Sequence, residues 1–116
     1  MELTLEMLAS FTGGQIEVHN SHYRVPGYRY CYRGKIKECN LRDLDSGRVV
    51  NVHLSWKANL YLDKWISEQG THIETIDISH CSTLDICDDQ ILIELPKLQR
   101  TVVFHKMDLI HPRRIR

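Results

Sequence analysis

A chain of 116 residues, 42% apolar and 26% charged, has the size and composition of one globular domain, which excludes a disordered chain. No run approaches the roughly 18 apolar residues of a membrane helix, so no membrane partner is expected. Fifteen cations against fifteen acids sum to zero, so attraction to a polyanion has to come from the layout of charge.

The opening reads as a short helix. Leu3, Met7, Leu8 and Phe11 fall at helical spacing, Thr4 is placed to cap, and Gly13-Gly14 stops the turn. The period then becomes two. Ile16 and Val18 alternate with Glu17 and His19, and Asn20-Ser21 and Val25-Pro26-Gly27 supply turns. Tyr28, Tyr30 and Tyr32 alternate with Arg29, Cys31 and Arg33, a strand with one aromatic face that continues through Ile36 towards Leu41. Asp45-Ser46-Gly47 is a hairpin turn. Val50, Val52, Leu54 and Trp56 form the clearest strand. Residues 59 to 69 place Tyr61, Leu62, Trp65 and Ile66 at i, i+3, i+4 spacing before Gly70, which predicts a second short helix. Ile76 and Ile78, Leu84 and Ile86, Ile91 to Leu95, and Val102 and Phe104 give four more strands. At least five strands are expected. Val50, Val52, Leu54, Trp56, Ile91, Ile93, Val102 and Phe104 should be mostly buried, with both tryptophans in the core.

Residues 1–116 therefore read as a single, mainly β domain. A short helix, a glycine, a strand and a long bent strand containing Tyr32-Arg33-Gly34-Lys35-Ile36 resemble the small Sm-like and SH3-like barrels over residues 3 to 56. The resemblance implies a closed barrel. For the Sm-like group it also implies RNA binding and ring formation. No family site residue is carried over.

Charge is segregated along the chain. Residues 22 to 37 hold five cations and no acid, 63 to 94 hold eight acids against Lys64, and 97 to 116 hold six cations against Asp108. Cations neutralise phosphates, so Arg24, Arg29, Arg33, Lys35, Lys37, Arg113, Arg114 and Arg116 are the candidate contacts to RNA. With tyrosines on one face of the strand and arginines on the other, stacking is lost if the tyrosines point inward. The rival reading is a protein-interaction module. In it, basic segments of one copy meet the acidic region of another in a head-to-tail homo-oligomer.

Chemistry-bearing motifs are weak. His19-x2-His22, Cys31-x7-Cys39 and His80-Cys81-x5-Cys87 lack zinc-site spacing, so no metal is expected, and Cys31 and Cys39 read as small apolar groups. Asp85, Asp88 and Asp89 lack the glycine and terminal glutamate of a calcium loop and read as a solvated turn. No nucleophile pair and no phosphate loop is present, so neither an enzyme nor a cofactor is expected. Met1 to Glu6 show no leader pattern, which predicts a cytoplasmic protein with four reduced thiols.

Overall fold

The computed structural model describes residues 3–21, 29–61 and 64–106, with the backbone alone described at residues 21, 29, 30 and 61. One helix, α1 (Leu5–Ala9), precedes eight strands: β1 (Gln15–Ser21), β2 (Arg29–Leu44), β3 (Gly47–Tyr61), β4 (Lys64–Glu68), β5 (His72–Asp77), β6 (Thr83–Ile86), β7 (Gln90–Leu95) and β8 (Arg100–His105). No helix among the described residues is long and apolar enough to cross a membrane.

Thr4 caps α1, its hydroxyl accepting from the Met7 amide at 3.2 Å. Leu3, Leu8 and Phe11 are buried, and Phe11 meets Phe104 edge-on at 6.1 Å. Gly13 takes a left-handed φ of 91°, and the exit from the helix docks on β2 through Gly13 N–H to Ile36 O and Ile36 N–H to Gly14 O, both 2.9 Å.

All pairings are antiparallel. The hydrogen-bonded path runs β4-β3-β2-β1-β8-β7-β6, with β5 added to the first half of β3. This path does not return on itself, so the mainly β expectation is met while the sheet is not closed into a barrel. Its concave side is filled by Ile16, Val18, Ile36, Val50, Val52, Ile76, Ile91, Ile93, Val102 and Phe104, each at most 1% exposed.

The predicted helix over 59–69 is instead the end of β3 and the edge strand β4, with Leu60 opposite Trp65 and Asn59 opposite Ile66. An isolated helix of that length is marginal in water. Here the stretch gains a ladder by extending β3, which outweighs the helical spacing of Trp65 and Ile66. Ile78, expected in a strand, lies in a 3-10 turn after β5.

Trp56 is also corrected. Lys35 pairs Trp56, but the next pair is Ile36 with Leu54, leaving Ser55 unpaired; Glu38 then pairs His53, leaving Lys37 unpaired. Each extra residue is a bulge that swaps the faces of its strand. Inward positions on β2 pass from Tyr32 and Ile36 to Cys39. On β3, Val50, Val52 and Leu54 face in, whereas Trp56 turns out and is 38% exposed. Lys57 turns inward instead, its ammonium 4.2 Å from the Tyr32 ring centroid.

Candidate functional site

Directly opposed residues of paired strands share a face. The register therefore puts Trp65 and Leu60, Ala58 and Trp56, Arg33 and Lys35, then Glu17, on one outward surface running from β4 to β1. The Arg33 guanidinium lies 4.6 Å from the Trp65 ring centroid, and its Nε donates to Glu17 Oε2 at 3.0 Å. Lys35 stands directly opposite Trp56. Small Ala58 lies opposite Arg33 and between the two tryptophan-bearing positions, which leaves the surface between the indoles low. Two indoles and two cations thus form a platform on rigid strands.

The sequence-predicted contacts divide accordingly. Arg33 and Lys35 lie on the platform, and Lys37 is exposed at the bulge beside it. A cleft of about 390 Å³ opens there, lined by Lys37, His53, Ser55 and His72 among others. Arg29 begins β2 opposite Ser21, with its side chain outside the described residues. Arg24, Arg113, Arg114 and Arg116 lie outside the described residues, as does Tyr28. Tyr32 is buried, as the strand period required once its face met the core. Its hydroxyl donates to Glu74 Oε1, and Glu74 Oε2 is 2.6 Å from Arg100 Nη1.

β1 pairs with both β2 and β8, so the two basic stretches are brought within one strand of each other. Their cations are not equivalent: Arg100 is tied to Glu74 and Asn20, and Lys106 stands 5.4 Å from the Phe11 ring centroid. Asp85 on β6 lies four strands from β2 along the path, and Glu94 on β7 lies three. At a strand spacing of about 4.8 Å that is roughly 19 Å for Asp85 and roughly 14 Å for Glu94 along the sheet. Asp88 and Asp89 form the exposed β6–β7 turn.

No protein-family model, curated protein or solved structure matches the chain.

Glu17 is the electrostatic centre of the outer face. Its carboxyl is lowered to about 2 by the facing His105, against partial burial, with the Arg33 bond and charge adding. His105 Nε2 is 3.6 Å from Oε1, long for a hydrogen bond, so Arg33 at 3.0 Å is the firm partner. Cys31, expected in the core, is half-buried on this outer face opposite His19, and burial pushes its thiol up to about 11. Cys39 is a core thiol, as expected, also raised to about 11 by burial.

Neither tryptophan was legible as a surface group. Trp56 continues the alternation of Val50, Val52 and Leu54, and no residue type announces the bulge at Ser55. Trp65 carries a helical spacing. The cross-strand neighbours Glu17, His19 and Cys31 need the β1–β2 register, which the sequence does not carry.

Proposed function

We propose that the outer face of β2, β3 and β4 is a binding platform for single-stranded nucleic acid, RNA in the first instance. The observation that carries this reading is the pairing of outward Trp56 and Trp65 with Lys35 and Arg33. Every base has a face that stacks on an indole, and Lys35 beside Trp56 can neutralise a phosphate, while Arg33 is matched by Glu17 and braces Trp65. Stacking therefore falls to the tryptophans rather than to the buried Tyr32. Counted along the sheet, the acids of β6 and β7 lie more than a Debye length of about 8 Å from β2, and Glu17, the acid on the platform itself, is matched by Arg33. On this reading the protein is a binding module rather than an enzyme.

Fluorescence anisotropy with a single-stranded RNA, taken across a salt series, tests the proposal. Lys35→Gln with Lys37→Gln should flatten the salt slope by up to about 1.4 units, at roughly 0.7 per lost phosphate contact. Trp56→Ala should weaken binding by about 1–3 kcal/mol while leaving the slope unchanged, because stacking releases no counterions. Wild-type protein that fails to retain RNA at low salt sinks the reading, as does Trp56→Ala binding like the wild type.

One observation favours head-to-tail self-assembly as a second reading. The cations of β2 and the acids of β6 and β7 lie towards opposite ends of the sheet path, as a heterologous contact between copies requires. Light scattering decides it: a particle that shrinks in the Lys35→Gln, Lys37→Gln protein without any RNA effect supports assembly instead.

A further inference from the structure

Beside the platform, on the same outer face, three ligand-type side chains from two paired strands converge. His19 on β1 is directly opposite Cys31 on β2, and Glu17 lies two residues along β1 on the same side. His19 Nε2 is 3.5 Å from Glu17 Oε1 and 4.0 Å from Cys31 Sγ, and the three atoms all lie within 4.8 Å of one another. We propose that Glu17, His19 and Cys31 form a binding site for a zinc-type divalent transition-metal ion, with the fourth position open to water or an added ligand.

The distances fit the ion. Zinc binds thiolate sulfur at about 2.3 Å and imidazole nitrogen or carboxylate oxygen at about 2.0–2.2 Å. In a tetrahedron those bonds set the ligand atoms roughly 3.3–3.8 Å apart. The Glu17–His19 separation of 3.5 Å already fits and the His19–Cys31 separation of 4.0 Å has to close by a few tenths of an ångström, while Glu17 and Cys31, within 4.8 Å of each other, close by up to about 1 Å through side-chain rotation. The donor set also selects the metal class. A soft sulfur with an imidazole suits zinc, cobalt or copper and disfavours magnesium and calcium, which take oxygen ligands.

The surroundings are those of a site rather than a chance meeting. All three residues sit on a hydrogen-bonded strand pair, so the backbone fixes their spacing before any ion arrives. Glu17 Oε2 is held by Arg33, which turns Oε1 towards His19 and Cys31 as an outer-shell partner does. His105 borders the same oxygen at 3.6 Å, and its Nε2 is buried without a hydrogen-bond partner. His19 is half exposed, which gives the ion a path from solvent. The other thiols lie elsewhere: Cys39 in the core, Cys81 donating to Ile78 O at 3.1 Å, and Cys87 at the β6–β7 turn.

The test uses the reduced, metal-free full chain titrated with Co²⁺. One equivalent should bind and give a thiolate-to-cobalt charge-transfer absorption together with the intense visible bands of a tetrahedral site. Zn²⁺ should displace it. Cys31→Ser should abolish the charge-transfer absorption. Cys31→Ser and His19→Ala should each weaken Zn²⁺ in a chelator competition by more than the roughly 10–100-fold that loss of an outer-shell partner costs. Cys87→Ser should change nothing. Both affected residues face outward, and circular dichroism is to check that each variant is folded. Failure of the wild type to take up one equivalent overturns the proposal, and so does a sulfur-to-cobalt absorption that survives Cys31→Ser.

Discussion

Gly34 is the position where the packing of β2 on β3 is most exactingly balanced, and a double-mutant cycle with Leu54 measures it. A Cβ added at Gly34 would collide with Leu54 Cδ1 and stand 3.1 Å from both Cδ2 and Cγ. Carbon atoms in good contact are about 3.5–4.0 Å apart. Leu54 is only 5% exposed, so to admit the methyl it has to shift within the packed interior or towards the cleft it borders near Lys37. Overpacking of this kind costs about 1–3 kcal/mol, while replacing glycine regains about 0.4–1 kcal/mol by restricting the unfolded chain. Gly34→Ala should therefore destabilise by up to about 2.6 kcal/mol. Leu54→Ala alone should cost about 2–5 kcal/mol through lost burial and a cavity. In that background the collision is gone, and the added methyl partly fills the hole. Gly34→Ala should then be neutral or stabilising by up to about 1 kcal/mol. Urea denaturation of the four proteins, read at unchanged m-value, gives the cycle. Equal cost of Gly34→Ala in both backgrounds refutes the steric account and leaves a backbone requirement as the cause.

Three further outcomes follow from the same packing. Phe104→Ala removes a fully buried ring and its edge contact with Phe11 and should cost about 3–5 kcal/mol by urea denaturation. Glu74→Ala strips Arg100 of its carboxylate partner; a cycle with Arg100→Ala should show a coupling of about 1–3 kcal/mol, and none if the pair is idle. In the folded protein near pH 8, Cys87, exposed at its turn, should be alkylated well before Cys39, whose thiol is raised to about 11, and denaturant should release four reactive thiols.

Alternation made much of the fold readable. Val50, Val52 and Leu54, Ile91 and Ile93, and Val102 and Phe104 all face the core because successive strand residues point to opposite sides. Thr4 capping α1 and the turns at Asp45-Ser46-Gly47 and Asp88-Asp89 were equally readable, since each rests on local chemistry. What failed was non-local. Ser55 and Lys37 are ordinary residues, and their bulges exist because two long strands must bend around one core. Residues 59 to 69 satisfy two periods at once, and the free ladder of β3 chose between them. The neighbours Glu17, His19 and Cys31 depend on a register that a single-residue slip would destroy.

The bulge at Ser55 links the interior to the outer face. By reversing the alternation of β3 it sends Trp56 out to the platform and Lys57 inward. Inside, Lys57 covers the Tyr32 ring and approaches Glu68 at 3.9 Å. Tyr32 in turn donates to Glu74, which holds Arg100 on β8. The polar chain therefore spans β4, β3, β2, β5 and β8, strands that the backbone ladder leaves partly unjoined. Two cations, Lys57 and Arg100, face two acids, the exposed Glu68 and the buried Glu74, so the charges balance along the chain of contacts. Side chains complete on the concave side an enclosure that backbone hydrogen bonds do not. The same one-residue irregularity that exposes an indole for binding supplies the cation this enclosure uses. A regular β3 would bury Trp56 and expose Lys57, losing the platform and the inner contact together.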